Sequence, residues 1–283
     1  MSRHATTDSG FGFEHADTST PRRSGLIWAI ASLLVVLALV GGFVAWRGGA
    51  FGCKDEPVTV AVDPALAGPL KEVAESAAGK CYAFTVTALP GPDVPAHLTS
   101  PDKTPDLWVG DSSAQVRRVS EQVKRPLPAV ADSIAKSPVV VTGQQVSTLK
   151  SWVDVMKLPN LRMGSPIDTT IGDVPIMGAL AEVDTGRITQ KQLIDAMTIL
   201  AVQQNNARTA NDSEGYRLNL ANTNADIPVL TTEQQFVLFT KTHQGSQLKA
   251  ATPQDGDVIL DYPLVNTAGQ DRSETAQKAG KAL

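Results

Sequence analysis

Residues 26–46, LIWAIASLLVVLALVGGFVAW, carry no charged side chain, and no other run of that length in the sequence is free of charge. At 1.5 Å rise per residue a helix over that stretch is roughly 30 Å long, about the thickness of a bilayer's hydrocarbon core. The stretch predicts a single transmembrane helix. Trp28 and Trp46 lie near its ends, where indole rings favour the membrane–water boundary, and Gly41-Gly42 is tolerated in a span more readily than in a soluble helix. Arg22 and Arg23 precede the run, whereas Arg47 is soon followed by Lys54, Asp55 and Glu56. The positive-inside bias therefore puts the N-terminus in the cytoplasm and everything from Arg47 onward outside the cell. A cleaved secretory signal peptide is the competing reading, but the run exceeds the usual apolar core of about 7–15 residues, and Gly48-Gly49-Ala50 is only a passable cleavage site. Ala50-Phe51-Gly52-Cys53 departs from a lipoprotein box, with Phe where a small residue is usual and Ala where Leu is usual.

Residues 1–25 are rich in Ser, Thr, Gly and Asp and lack apolar periodicity, so a disordered cytoplasmic leader is expected. Before Arg47, Arg3, Arg22 and Arg23 balance Asp8, Glu14 and Asp17, which leaves the net charge of -4 to the exterior part. No stripe of Lys and Arg with interleaved aromatics follows the span, so nucleic acid is not expected as a partner. Residues 47–56 read as a linker, 57–270 as the folded part, and 271–283 as a tail in which a helix begins near Glu274.

From Pro57 the pattern alternates. Val58-Thr59-Val60-Ala61-Val62 reads as a strand, Asp63-Pro64 as a helix N-cap with Pro at the first helical position, and Leu66, Leu70, Val73, Ala74 and Ala77 as one helical face. Tyr82 to Thr87 resumes as a strand. Cys53 and Cys81 then precede neighbouring strand starts, where a disulfide is geometrically reasonable in an oxidising compartment; two buried free thiols are the alternative. Asp106 to Val109 reads as a strand before a helix over 114–123, Val130 to Ile134 as a short helix, and Ser137 to Gly143 as a buried strand. Helical spacing recurs over Gln144 to Leu158, around Val174 to Val183 and over Ile188 to Gln204. Gln203 to Asn224 is polar and Asn-rich, and Val258 to Val265 closes the readable structure.

Strands lead into small polar turns at Ser112 and Ser113, at Ser165 with Thr169 and Thr170, and at Thr231 with Thr232. Hydroxyls and free N–H groups at helix starts suit a polar or anionic ligand, and in a parallel sheet such turns gather at one edge. Simple N-capping explains the same residues.

The blocks DLWVGDSSAQV, IAKSPVVVTG, MGSPIDTTIGDVPIMGAL, VLTTEQQ and LDYPLV, in that order, resemble the type II extracellular solute-binding domain of actinobacterial proteins in which it is joined to a von Willebrand A domain. The resemblance covers about residues 57–270. It implies an α/β architecture of two lobes, of the periplasmic-binding-protein type II kind, with a small ligand held between them. SPVVVTG would cross into the second lobe and LDYPLV would return. Nothing after Val265 is long enough for a von Willebrand A domain, and Asp111-Ser112-Ser113-Ala114-Gln115 fails that domain's D-x-S-x-S metal motif at the last position.

Enzymatic readings rest on Ser147-Thr148-Leu149-Lys150, an S-x-x-K as in penicillin-binding proteins and β-lactamases. Ser133-Ile134-Ala135-Lys136 and Ser246-Gln247-Leu248-Lys249 match equally, S-D-N is absent, and Lys241-Thr242-His243 lacks the Gly of K-T-G. His97 and His243 are the exterior histidines and read as surface residues. No metal or cofactor is expected. The sequence therefore points to a membrane-anchored exterior domain that binds a small polar or anionic ligand, with an interaction module for other cell-envelope proteins as the second reading.

Overall fold

The computed structural model describes residues 55–77, 81–166, 169–206 and 213–283; the apolar run 26–46, the leader and Cys53 lie outside them. No helix among the described residues is long and apolar enough to cross a membrane. Residues Lys54–Leu283 form one unit. In chain order its first elements are β1 (Glu56–Val62), α1 (Ala67–Ala77), β2 (Tyr82–Ala88), α2 (Val94–Leu98), β3 (Leu107–Val109), α3 (Ser113–Val123) and β4 (Ala129–Ala131). There follow β5 (Ser137–Gly143), α4 (Trp152–Met156), α5 (Thr170–Asp184), α6 (Gln190–Asn206), α7 (Glu214–Thr223), β6 (Val229–Thr232) and α8 (Glu233–Thr242). The chain ends with β7 (Lys249–Ala251), β8 (Ile259–Leu260), β9 (Leu264–Asn266) and α9 (Ser273–Ala282).

Two sheets result, one per lobe. In the first, ordered β2-β1-β3-β9-β4, β1 runs parallel to β2 and β3 while β9 is antiparallel to β3 and β4. Val58, Val60 and Val62 are buried along β1, as β-branched residues of a strand with neighbours on both edges should be. In the second sheet β5 is the hub, antiparallel to β6, β7 and β8. SPVVVTG thus enters the second lobe as β5. The LDYPLV block divides between β8 and β9, because Tyr262 takes a positive φ of 35° and Pro263 follows it. The two crossing segments bond to each other and to the first lobe, Ile134 N–H to the Tyr262 carbonyl at 3.0 Å and Gly110 N–H to the Pro263 carbonyl at 3.2 Å.

Several local expectations are corrected. The helix expected over Gln144 to Leu158 is confined to α4, where the extended Ser151 caps the turn by accepting the Asp154 N–H. Residues 130–134 contain no helix, and Ala129–Ala131 is the edge strand β4. The polar stretch before Asn224 holds α7, capped by the Ser213 hydroxyl and buried through Leu218 and Ala221. Tail residues form α9, which buries Ala276, Ala279 and Gly280. Arg272, just ahead of it, bonds Asp106 at 2.8 Å, and Asp106 also accepts the Thr59 N–H at 2.9 Å, tying the tail to β1 and β3. Cys81, at φ 76°, opens β2 and is not a free thiol, but its expected partner Cys53 lies outside the described residues.

Candidate functional site

The lobes meet at Asp111, the second residue after β3. Its Oδ2 accepts the Thr170 N–H at 2.9 Å and its Oδ1 accepts the Thr170 hydroxyl at 2.6 Å, both at the start of α5 in the opposite lobe. The Ser112 hydroxyl donates to the same Oδ1 at 2.8 Å. Unsatisfied N–H groups and the helix dipole make the start of a long helix an anion site, and here a carboxylate of the protein itself fills it. Burial pushes the Asp111 carboxyl up, against the bonds from Thr170 and Ser112 and the field of Arg118. Arg118 on α3 adds a second tie, to Asp173 of α5 at 2.5 Å. Gln235 on α8 adds a third, from Nε2 to the Ala65 carbonyl at 2.9 Å.

Beside these ties lies a cavity of about 280 Å³ whose lining comes from both lobes and includes Asp63, Asp111, Glu214, Arg217, Gln235 and Tyr262. Asp63 follows β1, and its Oδ1 caps the turn Pro64–Leu66 by accepting the Ala65 N–H at 2.9 Å. Burial, then the charges of Asp111 and Glu214, push its carboxyl up to about 7. Glu214 opens α7 and its Oε1 accepts the Thr231 hydroxyl at 2.5 Å and the Thr232 N–H at 3.2 Å. Burial raises this carboxyl too, against the Thr231 bond and the nearby Arg217. Tyr262 is buried in the returning segment, and its hydroxyl has no hydrogen-bond partner among the described residues. Burial and the charges of Asp63, Glu214 and Asp111 hold that phenol above its usual range, so it stays protonated.

The hydroxyls expected to bind a ligand divide differently from that expectation. Ser112 caps α3, accepting the Gln115 N–H at 3.0 Å, and lies 2.6 Å from the Thr170 hydroxyl. The N–H and hydroxyl of Ser113 both bond Asp261. Thr231 is committed to Glu214, and Thr232 caps α8 by accepting the Gln235 N–H at 3.2 Å. The Ser165 carbonyl accepts the Thr169 N–H at 3.1 Å. Of the seven residues, Thr169 alone lines the interlobe cavity. Sequence reasoning passed over the carboxylates: Asp63 was read as a cap, Asp111 as a failed metal motif, and Glu214 lay in a stretch that looked irregular. The one available clue was that Asp63 directly follows a strand and Asp111 follows another with one residue between. No His, Cys, Asp and Glu group among the described residues is placed to hold a metal. A roomier hollow of about 390 Å³ lies wholly within the second lobe, between Gly143 and Pro228.

No protein-family model matches the chain, and no curated protein matches it in sequence. Solved structures do match. The sulfate-binding protein SubI of Mycobacterium tuberculosis H37Rv is similar at TM-score 0.58 with 15% identity, over 81% of this chain and 82% of that one. The periplasmic binding protein AfuA of Actinobacillus pleuropneumoniae, with fructose-6-phosphate bound, gives TM-score 0.58 at 10% identity over 80% and 79%. A periplasmic thiamin binding protein gives 0.55 at 15% identity over 80% and 77%. These likenesses establish the fold: two α/β lobes arranged as in periplasmic solute-binding proteins.

Proposed function

We propose that the exterior part is a solute-binding domain that holds a small polar ligand between its lobes and performs no chemistry on it. The observation that carries this is the cavity itself, which draws polar side chains from both lobes, Asp63 and Tyr262 from one side and Glu214 and Gln235 from the other. Its volume sits near the lower end of the roughly 300–1,000 Å³ usual for ligand pockets. The similar structures named for sulfate, fructose-6-phosphate and thiamin support the role by fold. An interaction module with a vestigial cleft would have that space filled by large apolar side chains, whereas it stays open, with Ile171 and Leu260 lining it beside the polar groups. The S-x-x-K reading has no support from the geometry, since Ser147 and Lys150 are both exposed outside any helix.

A ligand that binds only the native state must raise the melting temperature. The test is a metabolite library screened against the full chain in detergent, beside the variant Gly215→Trp. Gly215 lines the cavity and a Cβ there meets nothing within 4 Å, so the indole would occupy the space without disturbing the core. True cleft ligands raise the melting temperature of the natural protein and not of the variant; hits that raise both, or no hits, sink the reading. The proposal keeps residues 26–46 as a membrane anchor with the domain outside, and a mature N-terminus beginning near Phe51 or Cys53 would refute that part.

A further inference from the structure

Solute binding between two lobes leaves open what charge the solute carries, and the hydroxyl-rich turns had pointed to a polar or anionic one. The cleft points the other way. The N-terminus of α5, where an anion would sit, is already satisfied by the carboxylate of Asp111. Three carboxylates, Asp63, Asp111 and Glu214, line the cavity against one guanidinium, Arg217. Each of the three feels at least one of the others, as the upward pull of Asp111 on both Asp63 and Glu214 records. The hydrogen bonds made by Asp63 and Glu214 use Oδ1 and Oε1, leaving Oδ2 and Oε2 without a partner among the described residues.

A second observation is independent of the acids. Tyr262 is 1% exposed, lines the same cavity, and its hydroxyl is unpartnered among the described residues. The nearby Thr232 side chain pulls the phenol's pKa back down a little, without reaching bonding geometry. A buried hydroxyl left without a bond is unfavourable, and a phenol is both donor and acceptor. It can accept an N–H from a ligand while giving its own proton to a neighbouring carboxylate. An anion offers no such N–H and adds to the repulsion already present; a cation relieves that repulsion and fills the acceptor.

We propose that this cleft selects a small organic cation, with an ammonium or amidinium head seated among Asp63, Glu214 and Tyr262. The proposal rests on the solute-binding reading above and names the ligand class for it.

The experiment uses three probes with one four-carbon frame and different ends: putrescine, its diol isostere and succinate. Each is titrated calorimetrically into the full chain in detergent, up to ~10 mM, so that dissociation constants into the millimolar range register. The expected result is binding of putrescine alone. Glu214→Gln, which keeps an oxygen for Thr231 and Thr232, and Asp63→Asn should each weaken it by roughly tenfold or more, as loss of a charged hydrogen bond does. Tyr262→Phe should weaken it less and leave the melting temperature of the free protein unchanged or higher. Binding of succinate or the diol in place of putrescine, blocked by Gly215→Trp, overturns the cationic assignment and leaves the solute-binding reading standing. Putrescine binding that Gly215→Trp or the two carboxylate variants leave unchanged overturns the assignment of the site. Silence of all three probes overturns the cationic proposal, while the library screen decides the broader reading separately.

Discussion

Asp63 is pulled in two directions by residues near and far in the chain. Its cap bond to the Ala65 N–H favours the ionised carboxylate, whereas burial and the charges of Asp111 and Glu214 favour the neutral acid and win, moving it from 3.8 to about 7. The folded protein therefore holds more protons than the unfolded chain between those values, and stability must fall as pH rises through that window. At ~1.4 kcal/mol per pKa unit the fall amounts to a few kcal/mol at most. Urea midpoints at about pH 5 and about pH 8 should show it, and Asp63→Asn should shrink the difference, the remainder coming from carboxyls such as Asp111 and Glu214 that burial also raises. A variant that keeps the full difference assigns it elsewhere. The capping role of Asp63 was readable because Pro64 stands beside it. Its electrostatic role was not, because Asp111 and Glu214 reach it only through the fold.

At the scale of elements, α5 shows why packing rather than propensity sets boundaries. Its apolar pattern is plain in the sequence, but its start at Thr170 is fixed by Asp111 from the other lobe, and its approach to α4 is fixed by Gly178. A Cβ at Gly178 would lie 2.3 Å from the indole of Trp152, which is itself held by its backbone N–H bonding Glu182 at 2.6 Å and its ring N–H bonding the Gly256 carbonyl at 3.0 Å. The ring cannot step aside. Gly178→Ala should thus destabilise by roughly 1–3 kcal/mol, as overpacking of a filled core does. Gly68 in α1 is the control, since a Cβ there meets nothing within 4 Å and the helix-propensity gain of up to ~1 kcal/mol is free to appear. Opposite signs for the two substitutions in denaturant unfolding are expected; equal signs would refute the close-approach argument. Helix α7 was illegible for the converse reason: its sequence is polar, and the few apolar side chains that anchor it, Leu218 and Ala221 among them, make too short a pattern to register.

At the scale of the molecule, the alternation of strands, polar turns and helices made an α/β fold legible, while the two lobes and their crossings near β5 and β9 came from the family resemblance carried by the order of short blocks. What the sequence did not disclose is that the lobes are latched through the turns expected to hold a ligand. Asp111 to Thr170, Arg118 to Asp173 and Gln235 to the Ala65 carbonyl all cross the divide, while two crossing segments are the covalent links. In an open state each of these groups would be solvated, so the bonds count toward closure only by their net value. For bonds to charged groups that is roughly 1.5–3 kcal/mol each. Replacing Asp111 and Arg118 together by Ala removes the two ties made by charged groups, leaving those of Gln235 to Ala65 and of Ser112 to Thr170, and should move the closed-to-open ratio by at least ~100-fold toward open, at ~1.4 kcal/mol per factor of ten. Spin labels at Lys71→Cys on α1 and Lys241→Cys on α8, both exposed positions in opposite lobes, report the separation directly. The labelled protein with Asp111 and Arg118 intact should give one short, narrow distance distribution, and the double variant a longer and broader one. Because a ligand that binds the closed form must then also supply the closing free energy, the same double variant should bind it more weakly in proportion to the population lost. If the two distance distributions coincide, these bonds do not hold the lobes together and closure belongs to the apolar contacts around the crossing segments.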